Sequence, residues 1–269
     1  MKRFLVSLIP LALRTRLKWL GYAVKDVFDP VKDQRIPNRR DNYVGGGDFE
    51  AVGNAFLETL KRHGLKPGMS VLDMGCGQGR MARPLTNFLN EEGSYRGLDI
   101  VPAGIAWCQK HYADLENFRF EHADVFNARY NPDGNTFASE YVFPVEDDSI
   151  DLVFMTSVFT HMFADDLSNY LREVSRTLKP GGTSLITWFL LSEQSRSAPS
   201  PKLAFRHRVD DVSMTTLAEN PEAAIAYDKD WVRQLYSDCG LEIRIIEYGH
   251  WSDPESPFDF QDLIVARKI

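Results

Sequence analysis

A chain of 269 residues with 43% hydrophobic and 12% aromatic residues is long enough to bury a full core. Its formal net charge of −7 argues against a nucleic-acid partner, because neutralising a phosphate backbone requires clustered Lys and Arg side chains. The three cysteines are widely spaced and form no CxxC pair, so the sequence predicts a cytoplasmic protein with neither a disulfide nor a structural metal: Cys76, Cys108 and Cys239.

The first 25 residues form a basic, apolar arm that contains no acid. A signal peptide requires small residues after its apolar core, and here Arg14, Thr15 and Arg16 follow it. The apolar run is also too short for a membrane span of about 20 residues. Two interpretations stay open: a helix in peripheral contact with an anionic membrane surface, or a helix packed on the domain or on the second subunit of a homodimer.

From about residue 48 the pattern alternates between helices and strands. Helices are expected over residues 49–60, 81–89, 105–112, 167–178 and 228–238, and strands over 70–74, 95–100, 118–122, 149–157, 183–190, 241–247 and 262–268. The sequence therefore predicts a basic amphipathic arm and lid over residues 1–47 and one domain over 48–269. Residues 192–227, rich in Ser, Pro and Ala, interrupt the alternation, and we expect them to form a cap insertion over the site.

This alternation predicts a parallel sheet with right-handed crossovers and helices on both faces. In such sheets ligands bind beyond the carboxyl ends of the strands. The functional site is therefore expected on the rim that holds the turn after Met74, Asp99, Asp124 and the segment after Met155.

The stretch VLDMGCGQGR, residues 71–80, is the strongest local motif. A dinucleotide fingerprint would place its last glycine where Arg80 stands, which disfavours a nicotinamide-dependent oxidoreductase, and a phosphate-binding P-loop would end in Gly-Lys-Ser/Thr. Glycines at alternate positions remove side chains where the backbone approaches a ligand. The carboxylate of Asp73 beside this gap suits a ligand that carries an amine or a positive charge.

Together with YRGLDI, HADVFN, FPVEDDSIDLVFMTSVFTHM and LREVSRTLKPGG, this motif resembles the class I S-adenosylmethionine-dependent methyltransferases in order and spacing. The resemblance covers residues 48–190 strongly and the last two strands moderately. It implies a Rossmann-like, mostly parallel sheet of seven strands whose last strand is antiparallel, with helices on both faces, an N-terminal helical arm and the cap insertion before the last two strands.

The same resemblance implies S-adenosylmethionine as the cofactor and assigns residues to it. Asp99 is expected to bind the two ribose hydroxyls, and Asp124 the adenine amine, with Val125 packed on the ring. The expected cofactor-binding residues are Asp73, Gly75, Gly77, Gln78, Gly79, Asp99, Ile100, Asp124, Val125 and Thr156.

A narrower resemblance concerns the acceptor of the methyl group. The pieces NYVGGGDFEAVG, RMARPL, TSVFTHM and the closing GHW…FQDLIVARK resemble bacterial methyltransferases encoded among glycosyltransferases, several of which O-methylate sugars. The expected acceptor is therefore a small molecule, with a hydroxyl of a sugar or related metabolite as the reacting group.

A hydroxyl acceptor requires a base, and His161 is the candidate because imidazole titrates near neutrality and its segment faces the methyl group in this family. On the substrate side, Tyr43 is expected in a flexible lid, Trp188 at the end of the fifth strand, His207 in the insertion and His250 near the end of the sheet. Each of these residues has packing or a linker role as its alternative.

Two functional alternatives remain open, and neither involves a metal. The acid pairs at residues 147–148, 165–166 and 210–211 are typical of solvated turns, so no catalytic metal is predicted. Within enzymes, the rival is an N- or S-methyltransferase of a small metabolite. Outside enzymes, the rival is a non-catalytic scaffold subunit that binds S-adenosylmethionine, and an ordered cap over residues 192–227 that encloses a polar cavity would argue against it.

Overall fold

The computed structural model describes residues 21–28 without 23 and 25, then 33–43, 45–193, 195, 203–253, 255–256 and 259–269. Most of the predicted basic arm, and residues 196–202 of the predicted cap, lie outside these described ranges. Within them, no helix combines the length and the apolar character needed to cross a bilayer.

Helices and strands alternate along the chain as expected. The helices that flank the main sheet are α1 (Phe49–Arg62), α2 (Ala82–Leu85), α3 (Pro102–His111), α4 (Ala164–Thr177) and α5 (Lys229–Asp238). The strands of the main sheet are β1 (Ser70–Met74), β2 (Ser94–Asp99), β3 (Phe118–His122), β4 (Ile150–Met155), β5 (Leu178–Trp188), β10 (Leu241–Glu247) and β11 (Asp262–Lys268). Four short strands between β5 and α5 form a second sheet: β6 (Leu190–Leu191), β7 (His207–Arg208), β8 (Ser213–Thr215) and β9 (Ile225–Asp228).

The main sheet has the strand order β3-β2-β1-β4-β5-β11-β10. Neighbours from β3 to β5 pair in parallel, whereas β11 runs antiparallel to both β5 and β10. The predicted Rossmann-like sheet of seven strands with an antiparallel last strand is confirmed. Its order reverses between β1 and β4, which places the glycine turn after β1 at the switch point where such sheets bind ligands.

Both faces of the sheet are covered, and most side chains of the central strands β1 and β4 are accordingly apolar. Leu72 and Met74 of β1 pack with α4 and α5 on one face, while Val71 packs with α1, α2 and α3 on the other. Helix α1 begins at Asp48, whose carboxylate accepts the N–H of Ala51 at 2.8 Å. As predicted, Gly64 closes its C-terminal end in a left-handed conformation, with a φ of 100°, directly after the cap residue His63.

Two element boundaries differ from the prediction. The helix expected over residues 81–89 ends at Leu85, and the chain continues in turns whose N–H groups bond three residues back, from Asn87 to Pro84 and from Phe88 to Leu85. The fifth strand begins at Leu178 rather than at residue 183, and its pairing with β4 jumps from Ile150↔Leu178 to Leu152↔Thr183. The intervening Pro and Gly residues form a bulge within the strand instead of a turn before it.

The described part of the predicted cap is ordered and shares the core of the domain. Strand β9 alternates between two apolar clusters: Ile225 and Tyr227 belong to the core beneath the main sheet, and Ala224 and Ala226 pack with Trp251 in a smaller cluster. The small sheet is therefore an integral layer beside the rim of the main sheet.

Candidate cofactor and acceptor site

The turn after β1 requires glycine for conformation and for space. Gly75, Gly77 and Gly79 have φ values of 91°, 56° and 74°, which L side chains rarely adopt. A Cβ at Gly75 would also lie 2.3 Å from Cγ2 of Val158. The glycine turn therefore packs directly against the segment that follows β4.

Asp99, at the end of β2, is fixed by the glycine turn. Its Oδ2 accepts the N–H of Gly77 at 2.7 Å, and its Oδ1 accepts the N–H of Val101 at 2.8 Å. Burial raises the pKa of Asp99, and these two N–H groups oppose that rise. A carboxylate has about four lone-pair sites, so roughly two stay available to further donors.

Asp73 lies beneath the turn and is fully buried. Its Oδ2 accepts the hydroxyl of Tyr95 at 2.6 Å, whereas Oδ1 has no partner in the structure. Burial raises the pKa of Asp73 to about 8. A buried oxygen without a donor fits a site that gains one when a ligand with an amine or cationic group binds nearby.

Residues 33–43 and 45–47, here called the N-terminal strap, lie across the glycine turn. The N–H of Tyr43 donates to Oε1 of Gln78 at 3.3 Å. The hydroxyl of Tyr43 lies so close to the start of α3 that a Cβ at Gly104 would meet it at 1.9 Å. Burial, with Asp99 as the next cause, raises the pKa of Tyr43, so its hydroxyl stays protonated.

Ion pairs attach this strap to the domain. Arg83 lies between Asp33, at 3.0 Å, and Glu50, at 2.7 Å. Arg80, which replaces the last glycine of a dinucleotide fingerprint, donates to the carbonyl of Gly46 at 3.2 Å. Arg80 therefore holds the strap against the glycine turn.

The predicted adenine side lies after β3. Asp124 accepts the side-chain N–H of Asn135 at 2.8 Å, and this bond holds the pKa of Asp124 below its ordinary value. Val125 is buried, and the carbonyl of Ile100 lies 3.2 Å from Nε2 of His122. The predicted residues thus meet on the same rim as Asp99.

The segment after β4 has an unusual backbone. Thr156 is half-buried, and Ser157 has a φ of 58°, a left-handed conformation that is uncommon for a residue other than glycine. The N–H of Ser157 donates to Oγ1 of Thr187 at 2.7 Å, and its hydroxyl to Oε1 of Gln261 at 3.0 Å. Such strain occurs often at functional sites, and no residue pattern around Ser157 indicates it.

His161 ends a short 3₁₀-helix in this segment. Its Nδ1 lies 2.7 Å from the carbonyl oxygen of Glu222, in the connection between β8 and β9. The side chain of Glu222 accepts the Nδ2–H of Asn127 at 2.9 Å. Burial lowers the pKa of His161, which keeps the imidazole neutral near pH 7.

Three aromatic side chains are exposed in the loops that surround His161. Phe126 precedes Asn127, Phe137 packs edge-on against Phe126 with ring centroids 6.2 Å apart, and Phe163 starts α4. Phe137 is 63% exposed. These three residues are here called the aromatic rim: Phe126 and Phe137 lie on the loop after β3, which reaches His161 through Asn127 and Glu222, and Phe163 follows His161 by two residues.

The structure gives three other predicted substrate residues different surroundings from those of His161. Trp188 is fully buried and donates its indole N–H to the hydroxyl of Tyr236 at 3.2 Å, a placement that favours packing over acceptor binding. His207 is exposed on β7. His250 is exposed and packs edge-on against Phe260. Within the described residues, no cluster of His, Cys, Asp and Glu is arranged to hold a metal ion.

Residues 72–186 match the family model of a methyltransferase domain. By this match, the stretch is a methyltransferase domain. Solved structures share the fold of this methyltransferase domain: a S-adenosylmethionine-dependent methyltransferase of Methanosarcina mazei has a TM-score of 0.52 at 20% identity, covering 78% of this chain and 97% of its own. The geranyl diphosphate C-methyltransferase of Streptomyces coelicolor A3(2), solved with S-adenosylhomocysteine, has a TM-score of 0.54 at 16% identity, covering 81% and 80%.

Curated relatives match the methyltransferase domain but not the whole chain. The sterol 24-C-methyltransferase of Schizosaccharomyces pombe is 29% identical over 170 residues, which cover 59% of this chain and 40% of that protein. A phthiotriol/phenolphthiotriol dimycocerosates methyltransferase of Mycobacterium ulcerans is 35% identical over 120 residues, covering 45% and 37%. The chain thus spans less than half the length of these relatives.

Sequence reasoning missed two features of this methyltransferase site. Asn127 and Glu222 lie far from His161 in sequence, so no local pattern indicates their contact. Asp262, at the start of β11, is fully buried and accepts N–H groups from Gly249 and Leu190 at 2.8 Å each. An acid at the head of an apolar strand, as in FQDLIVAR, was the available signal.

Proposed function

We propose that the protein transfers the methyl group of S-adenosylmethionine to a hydroxyl of a small molecule with an apolar body. The observation that supports this most is the contact between the glycine turn and the segment after β4, where a Cβ at Gly75 would overlap Val158. This contact brings the candidate cofactor residues and the candidate base His161 to one rim of the sheet.

When bound, S-adenosylmethionine supplies an electrophilic methyl group on a sulfonium. Asp99 would accept the ribose hydroxyls with the lone pairs that Gly77 and Val101 leave available. Asp124, held ionised by Asn135, would accept from the adenine amine. Tyr43 and the strap would close this side of the site and exclude water.

His161 would take the proton of the acceptor hydroxyl at Nε2. The carbonyl of Glu222 can only accept, so the Nδ1 it contacts carries the proton of the neutral ring and Nε2 carries the lone pair. The lowered pKa of His161 supports this role, since a base has to be unprotonated before it acts. General bases typically contribute a factor of about 10² to 10⁴ in rate.

The apolar body of the acceptor is supported by the aromatic rim and by the relatives. Phe126, Phe137 and Phe163 are exposed beside His161. The relatives are named sterol 24-C-methyltransferase, phthiotriol/phenolphthiotriol dimycocerosates methyltransferase and demethylmenaquinone methyltransferase, and these names support the apolar body but not the hydroxyl as the reacting group. A sugar hydroxyl stays the alternative acceptor, as do N- and S-nucleophiles.

The experiment is an acceptor screen that follows methyl incorporation by mass spectrometry with wild type, Asp99→Asn and the exposed control Glu116→Gln. The proposal predicts that apolar alcohols gain one methyl group, that Asp99→Asn loses this activity and that Glu116→Gln keeps it. Methylation of free sugars alone would contradict the apolar body. Methylation of amines or thiols alone would contradict the hydroxyl, and cofactor binding without transfer to any class would support the scaffold alternative.

A further inference from the structure

We propose that Asn127 and Glu222 are positioning residues that hold His161 in the tautomer with its proton on Nδ1 and its lone pair on Nε2. This inference rests on the proposed function, in which Nε2 receives the acceptor proton. It adds that the loop after β3 and the connection between β8 and β9 cooperate to prepare the base.

The orientation of the imidazole depends on a backbone carbonyl. The 2.7 Å contact between Nδ1 and the oxygen of Glu222 fixes both the ring plane and the proton position, because a carbonyl has no proton to give. If residues 221–223 moved by a fraction of an ångström, this bond would weaken and the ring would lose its fixed tautomer. The position of the Glu222 backbone therefore matters as much as its side chain.

The Glu222 backbone is held from two sides. Its side chain accepts from Nδ2 of Asn127, and the carbonyl of the preceding Pro221 accepts the hydroxyl of Thr215 at 2.9 Å. Asn127 is itself immobilised, since its backbone exchanges both hydrogen bonds with Asn131, at 3.1 and 3.0 Å, and its Oδ1 accepts the N–H of Tyr130 at 2.9 Å. The amide of Asn127 thus presents its N–H₂ to Glu222 from a fixed frame.

Charged side chains on neighbouring elements shift the pKa values of His161 and Glu222. Burial lowers the pKa of His161, the hydrogen bond to the Glu222 carbonyl opposes this, and the positive charge of Arg129, on the loop after β3, adds to the lowering. Burial, followed by Asp166 of α4, raises the pKa of Glu222. The described charged groups that act on His161 and Glu222 are therefore Arg129 and Asp166.

In this arrangement His161 receives the proton that the acceptor loses. Bound S-adenosylmethionine would supply the methyl group and keep the electron pair of its carbon–sulfur bond on sulfur, and the proton of the acceptor O–H bond would move to Nε2 of His161. The resulting imidazolium keeps its Nδ1–H on the Glu222 carbonyl, which stabilises the new charge through a hydrogen bond.

The test reads the tautomer directly by two-bond ¹H–¹⁵N correlation in histidine-labelled protein, with His161→Gln to assign the signal among the six histidines. Wild type should show Nδ1 protonated at pH 7. Asn127→Asp keeps the shape but replaces the donor with an acceptor that faces Glu222, so we expect the Nδ1-protonated form to fall at least several-fold relative to the Nε2-protonated form.

The matched double variant exchanges the donor and the acceptor. In Asn127→Asp combined with Glu222→Gln, the new amide can donate to the new carboxylate, so the wild-type tautomer should return, and Glu222→Gln alone should resemble wild type. An unchanged tautomer in Asn127→Asp, or its loss in the double variant, would overturn the proposal. Because this readout needs no methyl transfer, its result is separate from that of the acceptor screen.

Discussion

Two fully buried carboxyl groups, Asp73 and Asp262, differ in their partners. Asp73 receives one donor, the hydroxyl of Tyr95, and its Oδ1 has none. Asp262 receives donors on both oxygens: the N–H of Gly249 on Oδ1, and the N–H of Leu190 with the indole N–H of Trp251 on Oδ2. Asp262 therefore joins three segments at the acceptor side of the rim.

This difference predicts unequal losses of stability on an isosteric change. In Asp262→Asn the new N–H₂ faces an N–H donor whichever way it turns, and each donor left without an acceptor costs about 1–3 kcal/mol. In Asp73→Asn the amide oxygen can keep the hydroxyl of Tyr95 and the N–H₂ takes the place of the oxygen that has no donor, so a smaller loss than in Asp262→Asn is expected. Urea unfolding at pH 7 measures both, and equal losses would contradict this account.

The raised pKa of Asp73 also predicts a dependence of stability on pH. Its folded pKa is about 8, well above the roughly 3.9 of an unfolded aspartate, so the folded state binds the extra proton between these values. The free energy of unfolding therefore falls as pH rises through this window. Asp73→Asn should remove up to about 1.4 kcal/mol of this decline per pH unit. Parallel stability curves of wild type and variant from about pH 5 to 8 would refute it.

At the scale of elements, one substitution at the start of α3 tests whether Tyr43 holds the N-terminal strap in place. Gly104→Ala suits the helix but places a Cβ 1.9 Å from the hydroxyl of Tyr43, so the strap should lift and trypsin should cleave faster at Arg39 and Arg40. Gly46→Ala is the control on the strap itself, because nothing lies within 4 Å of its Cβ. Cleavage of Gly104→Ala at the wild-type rate would show that Tyr43 does not hold the strap.

The elements were largely predictable, because each carries its own periodicity. The glycine turn and Asp99 could be located for the same reason: they follow strands whose apolar runs are plain in the sequence. The contacts of His161 with Glu222 and of Arg83 with Asp33 could not be predicted from the sequence. They join segments whose distance in space depends on how the loops pack. Trp188 was expected on the substrate side because it ends a strand. Its position in the sequence did not reveal that its indole N–H donates to the hydroxyl of Tyr236.

At the scale of the whole molecule, the small sheet should unfold with the main sheet. Detaching β9 would expose Ile225 and Tyr227, which are fully buried in the main core. Ile225→Ala should therefore lower the stability of the whole domain by about 2–5 kcal/mol in a single transition. Coincident circular dichroism and tryptophan fluorescence curves would support this, and a separate early fluorescence transition would contradict it.

The central claim is that the glycine turn and Asp99 bind S-adenosylmethionine. Calorimetric titration with S-adenosylmethionine, S-adenosylhomocysteine and NAD, on wild type, Asp99→Asn and Glu116→Gln, tests it most directly. Binding of the two sulfur ligands and not of NAD is expected, weakened about tenfold or more in Asp99→Asn, since a hydrogen bond to a charged group is worth about 1.5–3 kcal/mol. Absence of binding to both sulfur ligands, or equal affinity in Asp99→Asn, would contradict the account.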